Sequence, residues 1–80
     1  MKARVIVTLK NGVLDPQGQA IEGSLAGLGF AGVSGVRQGK VFDLSIEGTD
    51  AAAARSQIEA MCEKLLANTV IENYAIEISN

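Results

Sequence analysis

The sequence contains no histidine and no tryptophan, and it has a single cysteine. Without histidine, neither a Ser-His-Asp nor a Cys-His-Glu nucleophilic system can be built. One cysteine without any imidazole also leaves too few ligands for a zinc site. The carboxylates are spread along faces that the pattern predicts to be solvated. We therefore expect a chain with no catalytic residues, no metal site and no bound cofactor of its own.

Positive charge and aromatic side chains are also scarce. The formal net charge is −2, and the aromatic residues are Phe30, Phe42 and Tyr74. This composition argues against a nucleic-acid surface, because neither a basic patch nor a stacking platform is visible. No apolar run approaches the ~20 residues of a membrane helix, and the N-terminus does not read as a signal peptide. A lone cysteine fits a reducing compartment, so we expect a cytoplasmic protein that binds neither nucleic acid nor a membrane.

The chain is short, and 80 residues make a single small domain, residues 1–80. A domain of this size buries a modest core and is marginally stable without additional help. An intrachain disulfide cannot supply this additional stability, because the chain has one cysteine. Self-association is therefore the expected additional source of stability.

Alternating and helical spacings of apolar residues predict the order β-α-β-β-α-β. Two helices with one apolar stripe each cover a single face of a four-stranded sheet. The prediction is thus an α+β, two-layer ferredoxin-like sandwich with an antiparallel sheet and both helices on one face. The predicted strands are residues 3–10, 31–40, 41–47 and 70–78, and the helices are residues 16–28 and 51–66. In the second helix, the predicted buried stripe is Ala54, Ile58, Met61, Cys62 and Leu65.

The segment 11–18 joins the first strand to the first helix. Asn11 and Gly12 form a turn dipeptide, because both tolerate positive φ. Asp15 is a helix cap, since its carboxylate can accept from the free N–H groups of the first turn, and proline follows it at the first helical position. Val13 and Leu14 lie between these two signals as apolar loop residues. They pack either under the loop or against another chain.

A basic pair lies near the middle of the chain. Arg37 and Lys40 flank a predicted hairpin at Gly39-Lys40. They either bind an acidic partner or remain solvated charges beside an edge strand. We expect partner contacts at this hairpin and at the 11–18 joint, through Asn11, Gly12, Val13, Leu14, Asp15, Arg37 and Lys40.

Residues 27–32 match the dinucleotide fingerprint G-x-G-x-x-G, but the context is wrong. That fingerprint follows a strand and opens a helix, so that the helix N-terminus meets the pyrophosphate. Here it follows a helix. Gly29 is placed to end that helix, with Phe30 next in a Schellman-type ending.

Five blocks, in order, resemble one known family over the whole length of the chain. They are residues 9–18 (LKNGVLDPQG), 28–30 (LGF), 36–40 (VRQGK), 61–68 (MCEKLLAN) and 70–74 (VIENY). The family is the PurS subunit of phosphoribosylformylglycinamidine synthase. Thr69 is a small departure, because proline is the residue expected after Asn68.

The resemblance implies a role in de novo purine synthesis. A large subunit performs an ATP- and magnesium-dependent step, a glutaminase subunit releases ammonia, and the small PurS-like subunit joins them as a homodimer or possibly a tetramer. The implied role of this chain is to hold the two active sites in register for ammonia transfer. The alternative is a free-standing dimeric module of the same topology that senses amino acids, with a ligand near the first strand-helix loop.

Overall fold

The computed structural model describes residues 1–79. Three strands and two helices alternate along the chain, and the second helix ends in a π-helical turn. The elements are β1 (Lys2–Leu9), α1 (Pro16–Gly27), β2 (Gly39–Ser45), α2 (Ala51–Met61), the π-helical turn (Cys62–Leu66) and β3 (Glu72–Ser79). The α+β class is therefore confirmed.

The sheet is antiparallel, with β1 at its centre and the order β2-β1-β3. Val5 is paired with Phe42 on one side and with Ile76 on the other. Because side chains alternate along a strand, these three residues lie on the same face of the sheet. We call this the inner face, and on it Ala3, Val5 and Val7 of β1 are buried.

Helix α2 covers the inner face and completes the core. Ile58 and Cys62 are fully buried against Val5 and Val7. The predicted helix start is confirmed, because the Asp50 carboxylate accepts hydrogen bonds from the N–H groups of Ala52 and Ala53 at 3.0 and 3.2 Å. The core is thus assembled from the central strand and one helix.

The end of α2 departs from the predicted stripe. Leu65 is 83% exposed, whereas Leu66 packs against the core. The cause is the π-helical turn, in which the N–H of Ala67 donates to the carbonyl of Cys62, five residues back. The wider turn accommodates one more residue, so the apolar contact moves from position 65 to position 66.

The prediction of a four-stranded sheet was wrong, because the predicted second strand does not form. Residues 31–38 form no strand, and the chain enters the sheet only at Gly39. Gly32 and Gly35 adopt positive φ, +83° and +68°, which interrupts the extended backbone that a strand requires. Gly39 and Lys40 accordingly lie inside β2 instead of forming a hairpin turn.

The prediction that both helices cover one face was also wrong, because α1 points away from the core. Gly18 is its one buried residue, and no described residue of α1 belongs to the core cluster. The molecule is elongated, with a radius of gyration of 16.0 Å, whereas a compact chain of this length has about 12 Å.

The end of α1 follows the prediction in detail. The N–H of Phe30 donates to the carbonyl of Leu25 at 3.0 Å, and that of Gly29 donates to Ala26 at 3.1 Å. These are the two hydrogen bonds of a Schellman motif, and Gly29 adopts the required positive φ of +95°. Leu28 and Phe30 nonetheless remain 74% and 58% exposed.

Candidate partner-binding site

Asp15 is the centre of the joint between β1 and α1. Its carboxylate accepts from the N–H of Gly18 at 2.8 Å and from the N–H of Gln38 at 2.7 Å. The first bond is the predicted helix cap, and the second ties the helix start to the segment that leads into β2. One buried side chain therefore fixes two distant parts of the chain.

The same contacts set the protonation state of Asp15. The N–H groups of Gln38 and then Gly18 lower the pKa of its carboxyl from the ordinary value of 3.8. Burial opposes this shift, and the positive charge of Arg37 adds to it. Hydrogen bonds from backbone N–H groups favour the charged form of a carboxyl, so Asp15 is ionised at neutral pH.

Arg37 joins the two predicted contact segments. Its guanidinium donates to the carbonyl of Val13 at 3.0 Å and to that of Lys10 at 3.1 Å. The sequence predicted separate surfaces at residues 11–18 and 37–40, and the structure places them side by side. We call residues 10–18 and 36–40 together the anchor site.

Gly18 permits the close approach within the anchor site. A Cβ at this position would overlap the carbonyl oxygen of Val36 and would lie 2.7 Å from Oδ2 of Asp15. Glu22, one turn further along α1, accepts from the N–H of Val36 at 3.0 Å. The sequence does not predict these contacts, because they join residues far apart in the chain and follow no local pattern.

The turn at the front of the anchor site is exposed. Gly12 has φ of +86°, as the predicted turn requires, and the N–H of Val13 donates to the carbonyl of Lys10 at 3.1 Å. Asn11 is exposed and Val13 is half-buried. Leu14 is 64% exposed, so the turn presents an apolar side chain to solvent.

Lys40 lies at the other side of the anchor site, on the inner face of β2. Its Nζ lies 3.8 Å from Oε2 of Glu72 and 5.8 Å from the centroid of the Phe42 ring. The Glu72 carboxylate also accepts from the N–H of Asn68 at 2.7 Å. The charge of Lys40 is therefore partly neutralised by a group of its own chain.

The lone thiol is not available for chemistry. Cys62 is fully buried, and burial, followed by the charges of Glu63 and Glu59, raises its pKa. A protonated, inaccessible thiol is a poor nucleophile. Among residues 1–79, no three His, Cys, Asp or Glu side chains come together as a metal site, and none of the helices there has the length and apolar character to span a membrane.

Comparison with known proteins places this arrangement in one family. The profile described as PurS, phosphoribosylformylglycinamidine (FGAM) synthase, matches residues 2–80. The FGAM synthase subunit PurS of Synechocystis sp. is 53% identical over 76 residues, which cover 95% of this chain and 76% of that protein.

Two solved structures are similar in fold as well as in sequence. The C2 crystal form of Bacillus subtilis PurS has a TM-score of 0.88 and 46% identity, and the match covers 99% of this chain and 98% of that one. A chain in the structure of PurLQS from Thermotoga maritima has a TM-score of 0.87 and 32% identity, with 95% and 93% covered. The protein described above therefore belongs to the PurS family of phosphoribosylformylglycinamidine synthase.

Proposed function

We propose that this chain is the small subunit of a phosphoribosylformylglycinamidine synthase and has no catalytic residues of its own. The observation that carries the proposal is its close match, in fold and in sequence, to a chain found in the PurLQS structure from Thermotoga maritima. The family match over residues 2–80 supports the same assignment. Neither comparison favours the amino-acid-sensing alternative.

The proposed role is structural. The chain lacks histidine and its thiol is buried, so ATP, magnesium and glutamine are handled by the large and glutaminase subunits. The small subunit binds both and holds their active sites in register, so that ammonia passes from one to the other without escaping to solvent. It acts in the cytoplasm as a homodimer, or as a tetramer of two such dimers.

The anchor site is the proposed surface for the other subunits. Leu14 supplies an exposed apolar contact, and Asn11, Gly12 and Val13 form the turn that presents it. Asp15 and Arg37 act differently, because their polar atoms bind the backbone of their own chain. We assign them as positioning residues that hold the turn in place. Lys40 adds a positive charge at the rim of the surface.

The test is co-purification of this chain with the large and glutaminase subunits in the presence of glutamine and nucleotide. We expect the three chains to elute together, and we expect glutamine-dependent turnover only when this chain is present. Full glutamine-dependent turnover by the other two subunits alone would contradict the proposed role.

The anchor site is tested in the same assay with Leu14→Asp. An acidic side chain at an apolar contact is expected to abolish co-elution without unfolding the chain, because Leu14 is exposed. The matched control is Ala60→Asp, on the exposed side of α2, which is expected to assemble normally. Normal assembly of Leu14→Asp would remove the anchor site from the interface.

A further inference from the structure

Asn11 and Gly12 form the only Asn-Gly dipeptide in the sequence, and both residues are exposed in the turn of the anchor site. Gly12 has φ of +86°, and a Cβ at this position would meet no atom within 4 Å. The turn is closed by the hydrogen bond from the N–H of Val13 to the carbonyl of Lys10. The space around the peptide bond between Asn11 and Gly12 is therefore open.

Two groups in this turn can react with each other, and hydrogen bonding protects neither of them. Among residues 1–79, neither the side-chain amide of Asn11 nor the N–H of Gly12 takes part in a hydrogen bond. Arg37 holds the turn through the carbonyls of Lys10 and Val13, and those contacts do not involve the two groups. The turn is thus held in place while the dipeptide stays open to water.

An asparagine that precedes glycine can lose its side-chain amide in water. The backbone nitrogen of Gly12 gives its proton to hydroxide and attacks Cγ of Asn11, so that a new C–N bond forms. The bond from Cγ to the amide nitrogen breaks, and the leaving group takes a proton from water and departs as ammonia. Water then opens the resulting succinimide ring at either carbonyl, which gives aspartate or isoaspartate. Glycine favours ring closure, because it has no side chain beside the attacking nitrogen.

The other asparagines that the structure describes lack this combination of features. The side chain of Asn68 accepts from a backbone N–H two residues further on, at 3.2 Å, and the branched Thr69 follows it. Asn73 lies within β3, where the backbone is paired with β1, and the bulky Tyr74 follows it. Hydrogen bonding and the following side chain both oppose ring closure at these positions. Asn11 is therefore expected to react first.

We propose that Asn11 is a site of spontaneous deamidation in the unassembled chain, and that the deamidated chain binds the other synthase subunits less tightly. The loss of binding rests on the proposed function of the anchor site, whereas the modification itself does not. Deamidation places a negative charge at the front of the anchor site. The isoaspartate product also adds one carbon atom to the backbone of the turn.

The contacts of Arg37 make the anchor site sensitive to the length of this turn. Its guanidinium binds the carbonyls of Val13 and Lys10 at 3.0 and 3.1 Å, and thus spans the turn from one side to the other. An additional backbone atom between the two carbonyls changes their separation and strains both hydrogen bonds. Leu14, the exposed apolar contact, directly follows the turn and is displaced with it.

The first test is incubation of the full chain at mildly alkaline pH, followed by peptide mapping and labelling with an isoaspartyl methyltransferase. We expect modified Asn11 to accumulate while Asn68 and Asn73 stay intact. The rate should rise with pH, because the nitrogen of Gly12 must lose its proton. The matched control is Asn11→Gln, which keeps the amide and the exposed position but requires a larger ring, so it should remain unmodified. An intact Asn11, or equally fast reaction at Asn68 or Asn73, would overturn the proposal.

The second test measures binding by the modified chain. Aged chain and fresh isotope-labelled chain are mixed and co-purified with limiting amounts of the large and glutaminase subunits. We expect the isoaspartate form to be depleted from the complex relative to the fresh chain. Asn11→Asp carries the charge without the additional backbone atom, and it should be depleted less. Equal recovery of the isoaspartate form and the fresh chain would overturn the proposed loss of binding.

The two proposals fail in different ways. If the fresh and the aged chain enter the complex equally well, the subunit role stands and the effect of deamidation on the anchor site is wrong. If Asn11 is modified in the isolated chain but neither form binds the other subunits, the modification site stands and the synthase role is wrong.

Discussion

Helices α1 and α2 are nearly equal in length, with 12 and 11 residues, but they have opposite positions in the molecule. Helix α2 buries Ala54 and Ile58 against its own sheet, whereas α1 buries only Gly18. The difference does not follow from helix-forming ability, since both helices are capped by an aspartate and both carry apolar residues. It follows from the connection at the start of each helix. The anchor site directs α1 away, while α2 returns over the sheet from β2.

The two helices therefore have different roles. Helix α2 and the sheet form the part of the chain that holds the fold together, and α1 with the anchor site forms the part that we propose is contacted by other chains.

The largest effect is expected in the core under α2. Ile58→Ala removes a fully buried side chain and leaves a cavity, so it should lower the free energy of unfolding by about 3 kcal/mol. Urea denaturation measures this directly. Ile21→Ala in α1, where the side chain is 41% exposed, is the matched comparison and should cost less than about 1 kcal/mol. Equal costs would mean that α1 is packed on its own sheet.

The π-helical turn gives a second, smaller contrast between adjacent leucines. Leu66 packs against the core and Leu65 is exposed. Leu66→Ala should therefore cost about 2 kcal/mol, and Leu65→Ala about 0.5 kcal/mol or less, in the same denaturation experiment. If Leu65→Ala cost more than Leu66→Ala, Leu65 would be the buried residue, as the regular helical stripe predicted.

Within α1, two glycines are expected to respond in opposite directions. Gly18→Ala places a methyl group against the Val36 carbonyl and should destabilise the chain by about 1–2 kcal/mol. Gly23→Ala meets no atom within 4 Å and should stabilise the helix by about 0.5 kcal/mol, because alanine is the better helix former. Thermal unfolding of both variants measures the sign, and a neutral Gly18→Ala would weaken the assignment of the anchor site.

The smallest effect concerns pH. The folded chain lowers the pKa of Asp15 below its ordinary value of 3.8, so the ionised carboxylate stabilises the fold above that pH. This contribution is lost as the pH falls through 3.8 towards the folded pKa. The stability difference between the unmodified chain and Asp15→Asn should therefore be largest near neutral pH and shrink in acid.

A control for this titration is Asp43→Asn. Hydrogen bonding and the charge of Arg4 lower the pKa of Asp43, but the pair is more than half exposed on both sides. Solvent screening makes such pairs weak, so the control should change stability less than Asp15→Asn at neutral pH. A pH-independent difference for Asp15→Asn would contradict the role of its carboxylate in the anchor site.

The elements with strong local signals could be predicted from the sequence. The turn at Gly12, the cap at Asp15 and the Schellman ending at Gly29 all depend on residues close together in the chain. The alternation that predicted β1 and β2 reflects the burial of one sheet face. These features were right because neighbouring residues are sufficient to specify them.

The features that were missed depend on longer-range geometry. Apolar residues between 31 and 38 suggested a strand, but their glycines adopt turns and no neighbouring strand pairs with them. Leu65 had the correct helical spacing, and one wide turn moved it into solvent. The anchor site joins Asp15 to Gln38 and Arg37 to Lys10 across more than 20 residues, a pairing that no local pattern specifies. Which other chains contact the exposed residues depends on the assembly, and local sequence patterns do not specify it.

The most direct test of the contrast between the two helices is hydrogen–deuterium exchange of the full chain over a dilution series. Backbone amides of α2 should be equally protected at every concentration, because their protection comes from the chain itself. Amides of α1 beyond its first turn should exchange faster than those of α2 at the lowest concentration, because no described residue of α1 belongs to the core cluster. The account is contradicted if α1 is as strongly protected as α2 at the lowest concentration.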